Sequence, residues 1–404
     1  MRVLLLNQCF YPDHVATAQH LTDLALGLKG AGHDVTVVAS SRGYDNPQNR
    51  YASHESWQGI QIHRIWTPGL GKTAKWRRLV DFACFWLSAT LILLRLQRFD
   101  VTVCLTSPPL ISTLGSIVAL FKGGEVVPWV MDLNPDEAVA AGWLRAGGLA
   151  ERILSGLQNW GFRRAARIVA LDRFMAARLM AKGVPAEVIH TDPPWSHDEK
   201  VRYDALARED FRAQHGLSGK FIVMYSGNHS PCHPLDTLLE AAKELREDGH
   251  VHFLFVGGGS EFEKVKLYRE RHHLENITTL PYQPMDRLAG SLSAADLHSV
   301  VLGEAFVGIV HPCKIYNILT LGIPFLAIGP VESHLSDLAD RLPRGETFRA
   351  DHGDVPAVVK ILKIMSQREQ SVPSVRAQEL ALKYSMEVLR SRLIQVIEAA
   401  SVVK

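Results

Sequence analysis

"MRVLLLNQCFYPDHVATAQHLTDLALGLKGAGHDVTVVAS", residues 1–40, opens with the apolar run Val3 to Leu6, crosses a loop, and resumes with Leu21, Leu24, Ala25 and Leu28 at helical spacing. That spacing predicts a helix over about 17–30 with one buried face. The glycine of "GAGHDVTVVAS" closes the helix, and the β-branched residues after it open a second strand. Strand, helix and strand in this order make a right-handed βαβ unit and hence a parallel sheet. The alternation continues through "FDVTVCLTS" (99–107), "EVVPWVMDL" (125–133) and "RIVALDRF" (167–174), the last leading into a helix at about 173–182.

The proline-rich stretch "GVPAEVIHTDPPWSHDEKVRYD" (183–204) cannot continue regular structure and marks a hinge. A second alternation follows in "KFIVMYSGN" (220–228), "HVHFLFVGGGSE" (250–261), "NITTLPY" (276–282), "ADLHSVVL" (295–302) and "IPFLAIG" (323–329), with helical patterns between. The expected fold class is therefore α/β: two Rossmann-like, doubly wound parallel-sheet domains facing a cleft, with ligands at the carboxyl ends of the strands. The boundaries read as 1–195, 196–374 and a final segment 375–404 that looks like one long helix.

A chain of 404 residues suits two such cores. Its 44 Lys and Arg against 42 Asp and Glu leave a net charge of +2, which excludes a global field for nucleic acid. The cysteines at 9, 84, 104, 232 and 313 form no C-x-x-C pair, which fits a reducing, cytoplasmic setting. The first apolar run is too short for a secretory signal, and the longest, Phe82 to Leu94, falls short of the roughly 20 residues of a membrane span. Ahead of that run, Lys72, Lys75, Arg77 and Arg78 adjoin an apolar, aromatic helix, so residues 72–98 are a candidate for peripheral contact with anionic lipid; a helix buried on the sheet would read the same way.

Four loops of the second half leave predicted strands. "YSGNHSPCHPLD" contains Gly227, Asn228, His229 and His233 where a phosphate loop would be expected to offer a cation. Were His233 to supply the charge, activity would rise as the pH falls towards the ordinary histidine value near 6.5. In "VGGGSE", Gly257 and Gly258 let the backbone approach a flat ligand or a phosphate, a pattern that a tight strand exit also gives. Tyr282 in "LPYQP" could flank a base or simply end a strand. In "GEAFVGIVHPCKIYNILTLGIP" (303–324), Gly308 permits a tight turn and Pro312 leads into a helix, which puts Lys314 at a helix start suited to a diphosphate. His229, Cys232, His233, His311 and Cys313 also raise a zinc reading, but H-x-x-C-H fits no common zinc spacing and prolines interrupt it, so no metal is expected.

In the first half, Tyr11, Asp13 and Thr17 follow the first strand, and "DLNPDEA" places Asp132 and Asn134 after a buried one. Asp132 could orient an acceptor or take its proton, and the same segment could equally be a helix cap.

Taken in order, residues 1–40, "YSGNHSPCHPLDTLLEA", "FLFVGGGSE", "ITTLPYQPMDRLAGSLSAADLHSV" and "VGIVHPCKIYNILTLGIPFLAIG" resemble the family-4 glycosyltransferases of GT-B fold, closest to the branch that builds colanic acid and O-antigen. The resemblance implies an acceptor-binding first domain, a second domain that binds a nucleotide diphosphate sugar, and a last helix crossing back to the first. It implies transfer with retention to a saccharide or polyprenyl-linked acceptor, without cofactor or required metal. Tyr11, Asp13, Thr17 and Asn134 then become acceptor contacts. The diphosphate falls to the Gly227 loop, to the backbone of Gly308 and Ile309, and to Lys314 of Pro312-Cys313-Lys314. Glu304 stands for a sugar-contacting glutamate at irregular spacing, and Asn317 replaces a ribose-binding glutamate. Asn228 and His233 stand where many members have Arg and Lys, which keeps a non-catalytic sugar-binding or scaffold subunit, or a sugar-nucleotide epimerase, as alternatives.

Overall fold

The computed structural model describes residues 1–13, 15–44, 46–71, 75–196, 200–368 and 373–402. They form two compact units: unit 1 comprises 1–194, 308–311 and 389–404, and unit 2 comprises 195–307 and 312–388.

In unit 1 the strands β1 (Arg2–Leu6), β2 (Asp34–Ser40), β3 (His54–Trp57), β4 (Ile60–Ile65), β5 (Val101–Cys104) and β6 (Glu125–Pro128) make one sheet of order β3-β4-β2-β1-β5-β6. All neighbours are parallel except β3 and β4. Both faces are covered, so the strands are nearly continuous apolar runs, as in buried parallel sheets generally. The helix Ala16–Gly30 turns Leu21, Leu24 and Leu28 inward as its spacing predicts. Against the other face, Leu4, Leu6 and Val38 meet Phe85, Ala89 and Leu93 of the helix Lys75–Arg95 and Leu114 of the helix Ile111–Lys122. β7 (Ile168–Ala170) pairs with β8 (Ile189–Thr191) and adjoins the main sheet through a bridge from Val169 to Trp129.

The β3–β4 hairpin was not anticipated. Its signal is short: alternating "HESW" and "IQIHRI" around Gln58-Gly59, both at positive φ, the pattern of a two-residue hairpin turn.

Unit 2 holds β9 (Phe221–Asn228), β10 (Val251–Gly258), β11 (Ile277–Leu280), β12 (Leu297–Val301), β13 (Phe325–Ile328) and β14 (Thr347–Ala350), all parallel, in the order β11-β10-β9-β12-β13-β14. This is the doubly wound order whose ligand crevice lies where the winding reverses, here between β9 and β12. Tyr225, Phe253 and Phe255 are fully buried beneath it. Burial of each such side chain contributes about 1.5–3 kcal/mol. The helix Ala205–Gln214 is clamped by Arg208 and Arg212, whose guanidiniums share the Asp296 carboxylate at 2.5 and 2.7 Å.

The continuous helix expected over 375–404 is two helices, Val375–Leu382 and Met386–Ala400. The break falls at Lys383-Tyr384-Ser385, where the Tyr384 carbonyl accepts from Ser196 N and Ser385 Oγ accepts from Val388 N to start the second helix. Apolar periodicity runs through the break because both pieces bury one face. The second helix packs in unit 1: a Cβ on Gly27 would lie 2.7 Å from Arg390 Cδ, and His33 Nε2 pairs with Glu398 at 2.9 Å. None of the helices described is long and apolar enough to cross a membrane.

Candidate active site

β9 and β10 end side by side, with Gly227 paired to Gly257 and Asn228 to Gly258. Gly257 has φ of 135°, and a Cβ there would lie 2.0 Å from the Gly227 carbonyl oxygen, so only glycine lets the two strand ends meet this closely. The loop beyond is held by its own backbone: His229 N donates to Gly258 O at 2.7 Å, and Tyr225 OH donates to Asn228 O at 2.8 Å.

Into this corner projects Lys314, the first residue of the helix Lys314–Leu321. Its Nζ lies 3.5 Å from the centroid of the Tyr225 ring and 3.1 Å from where a Gly227 Cβ would be. The ammonium nitrogen is buried and makes no hydrogen bond with the described residues. Burial lowers its pKa to about 7. The Tyr225 face offsets part of the desolvation through a cation–π contact.

The histidines of the loop add no positive charge near neutral pH. His233 is held by its Nδ1 against Val301 O at 2.7 Å, and burial, with Lys314 nearby, lowers it to about 3. His229 Nδ1 lies 3.0 Å from Gly227 O, its ring packs edge-on to Tyr225 and Phe262, and burial lowers it to about 4. Of the two outcomes left open for this loop, a charged His233 or a backbone cradle beside Lys314, the lowered pKa of His233 favours the second. The zinc set is divided as well, since His311 belongs to unit 1, where its Nδ1 pairs with Asp172 at 2.7 Å, while His229, Cys232, His233 and Cys313 belong to unit 2.

Around the same corner Tyr282 is 60% exposed, with its ring over Gly258 and its hydroxyl 3.4 Å from Gly258 O. Asn317 is partly buried one helical turn beyond Lys314, and Glu304 is exposed on the short turn Glu304–Phe306 after β12. Gly308 and Ile309 pack within unit 1: Ile309 O accepts from Leu133 N at 2.8 Å, and a Cβ on Gly308 would come within 2.6 Å of Phe174.

In unit 1 the strand ends are also built from polar residues. Asn7 joins β1 to β5, donating from Nδ2 to Cys9 O and accepting from Ser107 N. Asp13 accepts from Tyr44 N and from Tyr51 OH, both at 3.1 Å, so it tethers a loop. Tyr11 stacks on Trp57 at 4.3 Å, and Thr17 is partly buried at the start of its helix. Asp132 is raised to about 7, chiefly by burial and further by Glu137, with Arg78 opposing the rise. Asn134 Nδ2 donates to Glu137 at 3.3 Å, which places Asn134 in the same group. A carboxyl whose pKa lies near neutrality is matched to general acid or base work at that pH. Lys72 lies outside the described residues.

Residues 16–195 match the glycosyl transferase 4-like domain, and residues 207–327 match glycosyl transferases group 1. WcaI of Escherichia coli (strain K12), named for a glycosyl transferase of colanic acid biosynthesis, is 24% identical over 85% of this chain and 87% of its own length. WbjE of Pseudomonas aeruginosa, named for a glycosyltransferase, is 25% identical over 61% of each chain. Among solved structures, Anabaena HepE in complex with UDP and glucose superposes with a TM-score of 0.72 at 15% identity over 99% of this chain and 100% of its own. WaaG, a glycosyltransferase involved in lipopolysaccharide biosynthesis, does so with 0.68 at 14% identity over 98% and 99%. These likenesses give the fold as GT-B. With the two domain matches in tandem along most of its length, the chain belongs to the family-4 glycosyltransferases.

Proposed function

We propose that the protein moves a sugar from a nucleoside diphosphate sugar to a saccharide, free or lipid-linked, in the synthesis of a bacterial cell-surface polysaccharide, with retention of configuration. The observation that carries this reading is Lys314: an ammonium removed from water, without a hydrogen bond among the described residues, set against the glycine loop at Gly227. An unpaired buried charge costs several kcal/mol, which a bound diphosphate would offset. HepE, of the same fold, was solved with UDP and glucose, and WcaI and WaaG carry names from surface-polysaccharide synthesis.

In this reading unit 2 binds the donor and unit 1 the acceptor. The bond from the anomeric carbon to the diphosphate breaks as the bond to the acceptor oxygen forms. Lys314 and loop amides meet the charge that develops on the leaving diphosphate. The acceptor proton passes to a departing phosphate oxygen or to Asp132, and no covalent residue or divalent ion is assigned. Glu304, Asn317 and Tyr282 are proposed to contact the sugar, the ribose and the base. On the outer face of the helix Lys75–Arg95, Trp76, Leu79, Leu87, Leu91 and Leu94 are exposed beside Arg77 and Arg78, which supports contact with an anionic membrane face in the cytoplasm.

A panel of nucleoside diphosphate sugars, assayed for donor hydrolysis and transfer, tests the reading. Turnover by the native protein and its loss in Lys314→Ala would support it. Turnover unchanged in Lys314→Ala would overturn the site. If no nucleoside diphosphate raises the melting temperature, the chain is a binding or scaffold subunit instead.

A further inference from the structure

A second charged cavity lies wholly in unit 1. It has a volume of about 30 Å³ and is lined by Gln8, Ser40, Arg42, Tyr44, Thr67 and Arg78 among others. Gln8, Ser40 and Thr67 stand at the carboxyl ends of β1, β2 and β4, the edge at which parallel sheets of this kind take ligands. The space admits about two water-sized groups, the scale of the oxygens of a phosphate rather than of a sugar ring.

Its walls are fixed in place. Ser40 Oγ lies 2.8 Å from Thr67 Oγ1 and accepts from Arg42 N at 3.0 Å. Tyr44 is tethered through its backbone to Asp13, and its hydroxyl accepts from Arg78 Nη2 at 3.4 Å. Asp81 also lines the cavity, but its carboxylate is taken up by the backbone amides of Gly69, Leu70 and Gly71 at 2.9 to 3.3 Å. Arg42 and Arg78 both line the cavity. Among the described residues neither makes an ion pair with a carboxylate; Arg42 Nη1 donates to Pro47 O at 3.3 Å, and Arg78 acts on Asp132 through its charge without a direct bond. Planar guanidinium forks suit phosphate oxygens. Trp76 and Leu79, within two residues of Arg78, begin the exposed apolar face of the helix.

We propose that Arg42, Arg78 and the Tyr44 hydroxyl form an anion subsite that takes up oxygens of one phosphate group of the acceptor. The inference rests on the acceptor role proposed for unit 1. Two sources carry this chemistry, a lipid carrier diphosphate and a phosphorylated sugar. The exposed apolar face beside Arg78 would favour the first.

The test uses full-length Lys314→Ala protein, in which the donor diphosphate site is disabled, titrated by calorimetry with inorganic pyrophosphate and with a short-chain prenyl diphosphate. Binding is expected with both probes and should weaken at least tenfold when Arg42→Met and Arg78→Met are added, with a circular dichroism melt checking that the variant is folded. Arg78→Lys, which keeps the charge, should retain most of the affinity. Tighter binding of the prenyl probe assigns the lipid source, and equal binding assigns a phosphorylated sugar. No binding of either probe, or binding indifferent to both arginines, would overturn the subsite. The reading of the protein as a transferase fails separately, when nucleoside diphosphates do not bind the native chain.

Discussion

Lys314 Nζ sits 3.5 Å from the centre of the Tyr225 ring, and the hydroxyl of that ring donates to the carbonyl of Asn228. One aromatic side chain thus supports the cation on its face and fixes the glycine loop with its edge. Removing the cation as Lys314→Met should lower kcat/KM by roughly 100- to 1,000-fold while leaving the fold intact.

The titration of Lys314 gives a signed prediction. Its pKa in the folded chain, about 7, lies below the ordinary 10.5, so the unfolded state holds more protons between these values. Stability of the ligand-free protein should therefore rise with pH from about 7 towards 10, and Lys314→Met should remove that rise. Nucleotide affinity should run the other way, falling above pH 7 by up to about tenfold per unit as the lysine must be recharged to bind. Melting curves and calorimetry across pH 6–9 check both slopes.

His233 is expected to leave no trace in the pH profile. With its pKa held near 3, activity should show no rise on acidification from pH 8 to pH 6 beyond that due to Lys314. A His233→Asn variant should show the native profile shape with a lower melting temperature. A midpoint near 6.5 that vanishes in this variant would refute the assignment.

Asp132 gives the opposite sign. Its folded pKa, raised to about 7 from the ordinary 3.8, means that the native state holds the extra proton, so stability falls as the pH climbs through this interval. Asp132→Asn should consequently be at least as stable as the native chain above pH 7. If the carboxylate accepts a proton in transfer, the same variant should lose roughly 100-fold in kcat.

Gly257→Ala should be disproportionately costly for one added methyl. The new Cβ would lie 2.0 Å from the Gly227 carbonyl oxygen at a strained φ, for a loss of about 2 kcal/mol or more. Urea unfolding measures that loss, and nucleotide binding should weaken with it.

Most of the fold was legible because buried parallel strands announce themselves as β-branched runs between helical patterns, as in "DVTVVAS" and "HFLFVGG". What escaped was short or compensated: the hairpin around Gln58-Gly59, and the break at Lys383-Tyr384-Ser385, which leaves apolar spacing undisturbed. At the site, Lys314 and the glycines were legible from turn and helix-start chemistry. The neutrality of His229 and His233 was not, because a pKa depends on burial that only the packed loop reveals. Nor were Arg42 and Tyr44, which lie far from Arg78 in sequence, in an unremarkable loop, and are gathered with it only at the sheet's edge.

The return of the helix Met386–Ala400 to pack beside Gly27 and pair with His33 bears on the order of synthesis. A ribosome that has released residues 1–194 has not yet made the segment that covers the helix Ala16–Gly30. Unit 1 is begun first and finished last, after all of unit 2 has emerged. A nascent chain stalled before residue 386 would therefore expose the apolar flank of that first helix to chaperones, and a fragment cut at the hinge would be an incomplete domain.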